Sequence, residues 1–413
     1  MHLVLSYLKF IDSTTFQQNI RNAAMSIVFF ATISLLISSI LAISTISSNT
    51  VVFSSGDPSD PESPCYRIPS ILSIPDTKIV IAFAECRTWR GDGCYIHNLT
   101  NSSGSQYFNR TICSRRSIDG GVSWGASPTK VVTKMFAANP SATWNSKRKT
   151  VTLIYDNTLN SNIYTSTSHD MGQSFADPVP VTFNNNSQIK AFAGPGNSIV
   201  VLPNGDMVFA AYWHVRNYTT LEPTFWSDVY ILKNDDSSSW EKDGPTFYHI
   251  GEPSLALLTN GDVLLDARCP DGRHPYGGPS FPCDCNCRGT AIRSSNGSWS
   301  EMVYDPSIPD PDVAGSVFGL STGRIAFSNP SSTIHRENMT LHIGKLDTSK
   351  KSGIAWDQGL LLGKSSTEAA GYSSIFESQE GIIGILWEST FNNETFPGCY
   401  GGYCQIVLTI VTP

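Results

Sequence analysis

The sequence predicts an all-β protein, a six-bladed β-propeller preceded by a single N-terminal transmembrane helix. Three observations carry this prediction: short apolar runs bounded by turn residues, a turn motif that recurs along the chain, and one long apolar segment near the N-terminus. The chain has 413 residues, of which 40% are hydrophobic and 11% aromatic. This length and composition are sufficient for a large buried core, and all-β propellers of this size often form one domain.

The apolar segment has no charged residue between Arg21 and Asp57. At about 1.5 Å per residue, its apolar part is long enough to cross a bilayer core of about 30 Å. Cations lie on its N-terminal side, so the positive-inside rule places the N-terminus in the cytosol. A long signal peptide cut near Ala42 is the alternative. The predicted organisation is a cytoplasmic tail (1–22), a transmembrane signal-anchor (23–47), a short stem (48–60) and a propeller (61–413).

Glycosylation signals and cysteines indicate that the propeller lies outside the cytosol. Eight Asn-X-Ser/Thr sequons begin at Asn98, Asn101, Asn109, Asn185, Asn217, Asn296, Asn338 and Asn393. The ten cysteines are an even number, which favours disulfides in an oxidising compartment. Cys399 and Cys404 are the best single candidate for a pair. We therefore expect a type II membrane protein whose propeller is extracellular or in the lumen of the secretory or lysosomal pathway.

Short apolar runs after residue 51 predict antiparallel strands with little helix. Asn204-Gly205 and Asn260-Gly261 lie between neighbouring runs and favour tight hairpin turns. The runs are 78–83, 151–155, 198–202, 207–212, 262–265, 382–387 and 405–410.

A repeated turn selects the propeller among all-β architectures. Residues 117–124 read Ser-x-Asp-x-Gly-x-Ser-Trp, and 168–175 repeat the pattern 51 residues later with Phe in place of Trp. Looser copies occur at 294–299 and 347–356. The Asp accepts hydrogen bonds from the backbone, and the Gly takes a positive φ. A spacing near 50 residues is typical of a propeller blade, and residues 51–413 divide into about six. We expect these turns to be structural.

The net charge of −7 argues against a nucleic-acid partner, which would need a basic face. The residues from Cys283 to Cys287 alternate Cys with Asp and Asn and resemble a metal or redox site, but an oxidising compartment favours disulfides there. Neither a convincing set of metal ligands nor a phosphate-binding loop is present in the sequence, so no cofactor is implied.

The repeated turns resemble the Asp boxes of the sialidase family, and Tyr66-Arg67-Ile68-Pro69 resembles its Arg-Ile-Pro motif. The likeness spans the chain after residue 60 and is closer to the animal-type enzymes than to the viral ones. It implies a six-bladed propeller with an active site at one end of the central axis. The other segments that carry it are 82–87 (AFAECR), 194–196 (GPG), 266–268 (DAR), 328–330 (SNP) and 371–374 (GYSS).

The resemblance implies that three arginines, Arg67, Arg268 and Arg336, bind the carboxylate of sialic acid. A planar guanidinium suits a planar carboxylate because it can donate two parallel hydrogen bonds. Glu388 resembles the glutamate that orients the first arginine. Arg87 resembles an arginine on the 4-hydroxyl side of the pocket.

The resemblance further implies a tyrosine nucleophile, Tyr372, with Glu252 as the activating base. A neutral nucleophile avoids repulsion by the substrate's carboxylate, but its reference pKa near 10 means that it needs a base. Asp92, in a loop after the strand that contains Glu85, matches the acid/base that protonates the leaving oxygen.

Tyr212 matches the first tyrosine of a Tyr-x-Tyr pair that lines the glycerol and N-acyl pocket in animal-type enzymes, whereas His214 departs from the second. The expected function is a retaining exo-α-sialidase that acts on glycoproteins, glycolipids or oligosaccharides. The alternatives are a trans-sialidase, an inactive sialic-acid-binding lectin and an adhesion module. A trans-sialidase would need an aromatic platform for the acceptor sugar, for which the candidates are Trp89, Tyr95 and Trp226.

Overall fold

Six antiparallel sheets form a ring in the computed structural model, which confirms the predicted six-bladed β-propeller. The innermost strand of each sheet contacts the innermost strands of its two neighbours. Every element in the described part is a β-strand. The described residues are 45–56, 65–88, 110–133, 135–183, 187–216, 223–234, 239–269, 287–363, 370–378, 381–390, 403 and 405–412.

The blades follow one another along the chain, each ordered from the axis outward. Blade 1 consists of β2 (Cys65–Ser73), β3 (Val80–Arg87), β4 (Arg110–Ser117) and β5 (Thr129–Val132). Blade 2 consists of β6 (Ala137–Asn145), β7 (Thr150–Asn157), β8 (Asn162–Ser168) and β9 (Val179–Pro180). Blade 3 consists of β10 (Phe192–Ala193), β11 (Ile199–Val201), β12 (Met207–Arg216), β13 (Pro223–Leu232), β14 (Trp240–Lys242) and β15 (Phe247–Tyr248).

The second half of the ring has the same order. Blade 4 consists of β16 (Gly251–Leu257), β17 (Val263–Arg268), β18 (Arg288–Arg293) and β19 (Val303–Asp305). Blade 5 consists of β20 (Ser316–Gly319), β21 (Ile325–Pro330), β22 (Met339–Leu346), β23 (Ile354–Trp356) and β24 (Leu360–Gly363). Blade 6 consists of β25 (Ala370–Glu377), β26 (Ile383–Ser389), β27 (Gln405–Thr412) and β1 (Thr45–Ser54). All seven predicted apolar runs lie wholly or largely in strands.

The N-terminal strand β1 completes the last blade, because it lies outside β27 in the same sheet. The Oδ1 of Asn49 accepts a hydrogen bond of 2.6 Å from the hydroxyl of Thr409, and Val52 and Phe53 are buried. The predicted boundary of the propeller at residue 61 is therefore wrong. Residues 45–54 belong to the sheet because their Thr, Val and Phe side chains suit a half-buried strand.

Among the described residues, none forms a helix with the length and hydrophobicity needed to cross a bilayer. The predicted transmembrane segment 23–47 lies outside the described residues except for its last three residues, which belong to β1.

Cys86 forms a disulfide with Cys113 between β3 and β4. The pair predicted between Cys399 and Cys404 lies outside the described residues.

The repeated turns occupy equivalent places in four blades, between the third strand and the strand that follows it. In blade 1, Asp119 Oδ1 accepts hydrogen bonds from the hydroxyl of Ser117 (2.7 Å) and the backbone of Ser123 (2.9 Å). A hydrogen bond from the Ser123 hydroxyl is the main cause that lowers the pKa of Asp119 to about 2. The first strand of each blade begins at the opposite end of the ring, so the turns are remote from the starts of the innermost strands.

Six hydrophobic clusters hold neighbouring blades together, one at each interface. The cluster between blades 4 and 5, for example, packs Leu264 against Val317 and Phe327, which are all fully buried. Burial of side chains of this size contributes roughly 1.5–3 kcal/mol each, so the apolar interfaces provide the main driving force for ring formation.

A ring of serines surrounds the central axis, one on or beside the innermost strand of each blade. All six are fully buried: Ser70, Ser141, Ser198, Ser254, Ser316 and Ser374. At four blade junctions, a backbone N–H of one blade donates to the serine hydroxyl oxygen of the preceding blade. These bonds join Ile71 to Ser374 (3.0 Å), Ala142 to Ser70 (3.2 Å), Ser198 to Ser141 (2.8 Å) and Val317 to Ser254 (3.0 Å).

Asn197 of blade 3 makes the connections at the two remaining junctions, which are those between blades 3 and 4 and between blades 5 and 6. Its carbonyl oxygen accepts from the backbone N–H of Leu255 at 2.6 Å. Its side-chain Oδ1 accepts from the hydroxyls of Ser316 (2.5 Å) and Ser374 (2.9 Å) and from the N–H of Ile375 (2.7 Å). The innermost strands are thus joined by hydrogen bonds around the whole circle, which fixes the position of each strand relative to the axis.

Two alanine substitutions in this ring are expected to differ in effect. Ser141→Ala removes the acceptor for the Ser198 N–H, so it lowers the free energy of unfolding by roughly 1–3 kcal/mol. Ser198→Ala is the matched control, because in the described structure the Ser198 hydroxyl has no hydrogen-bond partner. Urea unfolding of both variants measures the difference. Equal loss of stability in the two variants would contradict the ring.

Candidate active site

Six residues lie near the starts of the innermost strands, each two positions before a ring serine. They are Ile68, Asn139, Gly196, Glu252, Ala314 and Tyr372. Strand pairing shifts register beside four of them, at Arg67/Ser70, Ala138/Ser141, Gly251/Pro253 and Ala370/Ser373. A β-bulge changes the direction of a side chain, and here it occurs where the strand meets the pocket.

Three of these residues have a positive φ although they are not glycine. The angles are 54° at Ile68, 52° at Asn139 and 47° at Glu252, and each of these residues precedes a proline and then a ring serine. A positive φ is strained for a side chain such as Ile and persists only where the surrounding structure imposes it. The serine ring two residues further along supplies that constraint.

Arg67 is held by Glu388 in a buried ion pair. Its Nε donates to Oε1 at 2.6 Å and its Nη2 donates to Oε2 at 3.1 Å, and the two residues are 2% and 0% exposed. Glu388 also accepts from the backbone N–H groups of Ile68 (2.7 Å) and Tyr372 (2.9 Å). Gly371 is required beside it, because a Cβ there would lie 2.0 Å from Oε2. The predicted pairing of Glu388 with Arg67 is present.

Arg268 lies between two carboxylates. Its Nε and Nη2 donate to Asp312 at 2.6 and 3.1 Å, and its Nη1 donates to Glu252 Oε2 at 2.6 Å. Arg268 is at the end of β17, whereas Glu252 is near the start of β16, the adjacent strand. Antiparallel pairing therefore brings the predicted arginine and the predicted base together.

Arg336 approaches the same place from the connection between β21 and β22. Its Nη1 donates to the Tyr403 hydroxyl at 3.3 Å, and its Nη2 donates to the backbone carbonyl of Asp312 at 3.2 Å. Its guanidinium carbon is 5.9 Å from the centre of the Tyr372 ring, and that of Arg67 is 5.6 Å from the same ring. Tyr372 thus lies beside two of the predicted arginines.

Tyr372 donates a hydrogen bond from its hydroxyl to Glu252 Oε1. Burial raises the pKa of Tyr372 well above its usual value, and the negative charge of Glu252 raises it further. Arg268 and Arg336 act in the opposite direction. The phenol is therefore neutral in this pocket and has a carboxylate as its proton acceptor.

Tyr212 and Arg87 lie on the side of blades 1 to 3. Tyr212 is 9% exposed, and burial raises its pKa, with Glu252 as the largest of the charges that add to this effect. Arg87 forms a buried ion pair with Glu85 at 2.6 Å. Glu85 also accepts from the backbone N–H of Asn139 at 2.9 Å, which connects Arg87 to the axial residues.

Asp156 is a fully buried carboxyl group next to Asn139. Its Oδ1 accepts from Asn139 Nδ2 (2.8 Å) and from the Ala193 N–H (3.1 Å), whereas Oδ2 has no partner among the described residues. Burial raises the pKa of Asp156 to about 7, and the neighbouring Glu85 adds to this shift. Asp156 is therefore partly protonated near neutral pH.

Of the nine predicted site residues, eight are described, and contacts link six of them around Tyr372: Arg67, Arg268, Arg336, Glu252, Glu388 and Tyr372 itself. Tyr212 and Arg87 lie on the adjoining side. Asp92, the predicted acid/base, lies outside the described residues.

Sequence reasoning missed Asp312, Tyr403 and Asn139. The sequence does contain a signal for Asn139, because Asn139-Pro140-Ser141 repeats the x-Pro-Ser pattern that begins at Ile68 and at Glu252. Asp312 and Tyr403 have no such signal, because they reach the pocket only through the ring geometry.

Removal of Glu388 is expected to be strongly destabilising. Glu388→Ala leaves the Arg67 charge buried without this partner, so it lowers the free energy of unfolding by roughly 3–5 kcal/mol. The double variant Arg67→Met with Glu388→Gln loses less than the sum of the two single substitutions, because it leaves no unpaired charge. Urea unfolding of the wild type, Glu388→Ala, Arg67→Met, Glu388→Gln and the double variant measures these losses. Additive losses would show that the pair is not coupled.

Asp156 predicts a pH dependence of stability. Its folded-state pKa of about 7 lies above the usual aspartate pKa of 3.8. The unfolded state therefore loses this proton first, so the contribution of Asp156 to stability is complete below about pH 4 and declines as the pH rises to 7. The decline is on the order of 1–4 kcal/mol. Urea unfolding from pH 4 to 8 should show a shallower decline for Asp156→Asn, and parallel profiles would exclude this effect.

A family model described as a BNR repeat-like domain matches residues 136–385. A sialidase from Bacteroides fragilis (strain YCH46) is 25% identical over 238 residues, which are 55% of this chain and 40% of that protein. The chain thus spans less than half the length of this curated relative.

Solved structures of other proteins share the fold of this chain. The Hadza microbial sialidase Hz136 has a TM-score of 0.65 and 18% identity, with 88% of this chain and 68% of that chain covered. The intramolecular trans-sialidase from Ruminococcus gnavus has a TM-score of 0.59 and 15% identity, with 86% and 96% covered. The family match covers more than half of the sequence, and the chain therefore belongs to the family of proteins with a BNR repeat-like domain.

Proposed function

We propose that this protein is a sialidase, a retaining exo-α-sialidase that releases terminal sialic acids from glycoproteins, glycolipids or oligosaccharides. One observation carries the proposal: three arginines converge on a tyrosine whose hydroxyl is hydrogen-bonded to a glutamate. The similarity to the Bacteroides fragilis sialidase supports the same activity class.

The charges of the pocket favour an anionic ligand. Arg67 and Arg268 are each held along the Nε–Nη2 edge by a carboxylate, from Glu388 and Asp312 respectively. Arg336 differs, because its hydrogen bonds within the described structure go to two neutral groups, a phenol and a backbone carbonyl. A partly buried cation is stabilised when a ligand supplies the opposite charge. A ligand carboxylate beside Arg336 would provide it.

The Tyr372–Glu252 pair is suited to nucleophilic catalysis. Tyr372 Oη attacks the anomeric carbon, and its proton passes to Glu252 as the bond forms. The glycosidic bond breaks, and the leaving oxygen takes a proton from the acid, a role that the resemblance to sialidases implies for Asp92. Water, which gives a proton to the deprotonated Asp92, then replaces Tyr372 on the anomeric carbon, and Tyr372 recovers its proton from Glu252. The two displacements give net retention. A neutral phenol suits this substrate because a carboxylate nucleophile would be repelled by the substrate's own carboxylate.

Residues beside the arginines are proposed to face particular substituents of the sialic acid ring. Arg87, fixed by Glu85, is proposed to face the 4-hydroxyl side, and Tyr212 is proposed to line the glycerol and N-acyl side. His214 stacks between two phenylalanines: its ring centre is 5.1 Å from that of Phe192 and 5.5 Å from that of Phe225. An imidazole therefore replaces the second tyrosine on this side, so the preferred sialic acid variant is expected to differ from that of the animal-type enzymes.

Transfer to another acceptor is the second candidate, favoured by the fold shared with an intramolecular trans-sialidase. Of the predicted aromatic platform residues, Trp89 and Tyr95 lie outside the described residues. Trp226 stacks on Trp213 at 6.3 Å, so one face of its indole is already covered. The Glu252–Tyr372 pair argues against an inactive lectin, which would not need a base at the tyrosine.

We also propose that the propeller functions outside the cytosol. The Cys86–Cys113 disulfide supports an oxidising compartment. The sequons at Asn296 and Asn338 belong to the described part, and Asn296 is exposed. Attachment to a membrane through residues 23–47 remains the prediction from the sequence.

The activity is tested with α2,3- and α2,6-sialyllactose as substrates between pH 4 and 7, with a second sugar acceptor in parallel reactions. Mass spectrometry of the products distinguishes the outcomes. Free sialic acid supports hydrolysis, transfer to the added acceptor supports a trans-sialidase, and an anhydro sugar supports the intramolecular reaction. Absence of any product from either linkage would overturn the proposal.

Tyr372→Phe is expected to lower kcat on a fluorogenic sialoside by roughly three orders of magnitude or more, because the nucleophilic oxygen is lost. Binding of an unsaturated sialic acid analogue, measured by calorimetry, should persist because the arginines remain. Tyr248→Phe is the matched control, since Tyr248 is 60% exposed on β15. Undiminished turnover by Tyr372→Phe would remove this residue from the mechanism.

A further inference from the structure

Asp312 contacts two of the three arginines with different groups. Its carboxylate accepts two hydrogen bonds from Arg268, at 2.6 and 3.1 Å, and its backbone carbonyl accepts one from Arg336, at 3.2 Å. The φ of Asp312 is 61°, so this residue adopts a left-handed conformation. The carboxylate and the carbonyl of this single residue are therefore both directed at guanidinium groups.

The segment that carries Asp312 rests on a buried ion-pair network. The N–H of Asp312 donates to Asp310 Oδ1 at 2.6 Å, and Asp310 Oδ2 accepts from Arg288 Nη1 at 2.5 Å. Arg288 is 1% exposed and also binds Asp266 at 2.6 Å and the carbonyl of Val313 at 2.8 Å. Because Arg288 belongs to β18 and Asp266 to β17, the network anchors this segment to blade 4.

Arg268 connects Asp312 to the reacting groups. Its Nη1 donates to Glu252 Oε2, and Glu252 accepts a hydrogen bond from the Tyr372 hydroxyl through its other oxygen. A change at Asp312 is therefore transmitted through one guanidinium to the nucleophile and its base.

We propose that Asp312 is a positioning residue that sets the placement of Arg268 and Arg336 and, through Arg268, the charge around the Glu252–Tyr372 pair. Asp312 itself touches neither the nucleophile nor its base in the described contacts. The inference rests on the proposed sialidase activity for its kinetic consequences, but the placement of the arginines is independent of that activity.

Two substitutions separate the functions of the carboxylate and the backbone. Asn tolerates the left-handed conformation better than most residues, so Asp312→Asn keeps the carbonyl beside Arg336 and removes the charge beside Arg268. Ala adopts this conformation less readily, so Asp312→Ala also disturbs the carbonyl. Asp357→Asn is the matched control, because it removes another aspartate from an arginine pair, with Arg324 at 3.8 Å, on the exposed surface of blade 5.

In kinetic assays, Asp312→Asn is expected to lower kcat/KM roughly 10- to 100-fold, the effect of losing a hydrogen bond to a charged group. KM rises because Arg268 is misplaced. The acid limb of the pH profile of kcat moves to lower pH, because one negative charge fewer lies near the Glu252–Tyr372 pair. Asp357→Asn leaves both unchanged. Unaltered KM, kcat and pH profile in a folded Asp312→Asn protein would overturn the proposal.

A second measurement does not depend on turnover. In protein labelled with ¹⁵N-arginine, the Nε–H resonances of Arg268 and Arg336 are assigned by substitution of each arginine. Asp312→Asn should shift the Arg268 resonance alone, and Asp312→Ala should shift both. If the wild type cleaves no sialoside but these shifts occur, the sialidase proposal fails and the positioning role stands. Unchanged resonances in both variants would reject the positioning role.

Discussion

The hydrogen-bonded circle of serines around the axis is the constraint on which the rest of the structure depends. It joins the innermost strands of all six blades directly or through Asn197. Apolar clusters between blades supply the free energy of burial, but they do not by themselves determine how far each strand projects along the axis. The serine ring does so, because a slip of one residue would leave buried N–H groups without acceptors.

The candidate site depends on this ring because Glu252 and Tyr372 lie only two positions before the ring serines Ser254 and Ser374. Glu252 and Tyr372 come from different blades, 120 residues apart in sequence, and their side chains still meet. Their positions are set by backbone that is buried and hydrogen-bonded on the axis. The strained φ of Glu252 is maintained in the same way. A site that requires fixed geometry thus lies on the most constrained part of the fold, which reduces the reorganisation needed during a reaction.

Electrostatic pairing gives each arginine a different role. Arg67 is neutralised by Glu388 in full burial, Arg268 is shared between Asp312 and Glu252, and Arg336 has neutral partners in the described structure. The carboxylates orient two guanidinium groups, whereas the third retains its attraction for an anion. The same carboxylates keep the pocket from accumulating three uncompensated charges, which would oppose folding. Binding and stability are therefore balanced within one network.

Local patterns in the sequence determined the strands, the repeated turns and the number of blades, because apolar periodicity and turn chemistry depend on near neighbours in the chain. The six linked site residues were implied by the resemblance of short motifs to the sialidase family. The tertiary structure alone decided that β1 completes blade 6, that Asp312 and Tyr403 contact the arginines, and that Asn197 joins the ring. Each of these depends on contacts between residues far apart in sequence. Closure of the ring creates those contacts, and no local pattern encodes which distant residue will arrive at a given place on the axis.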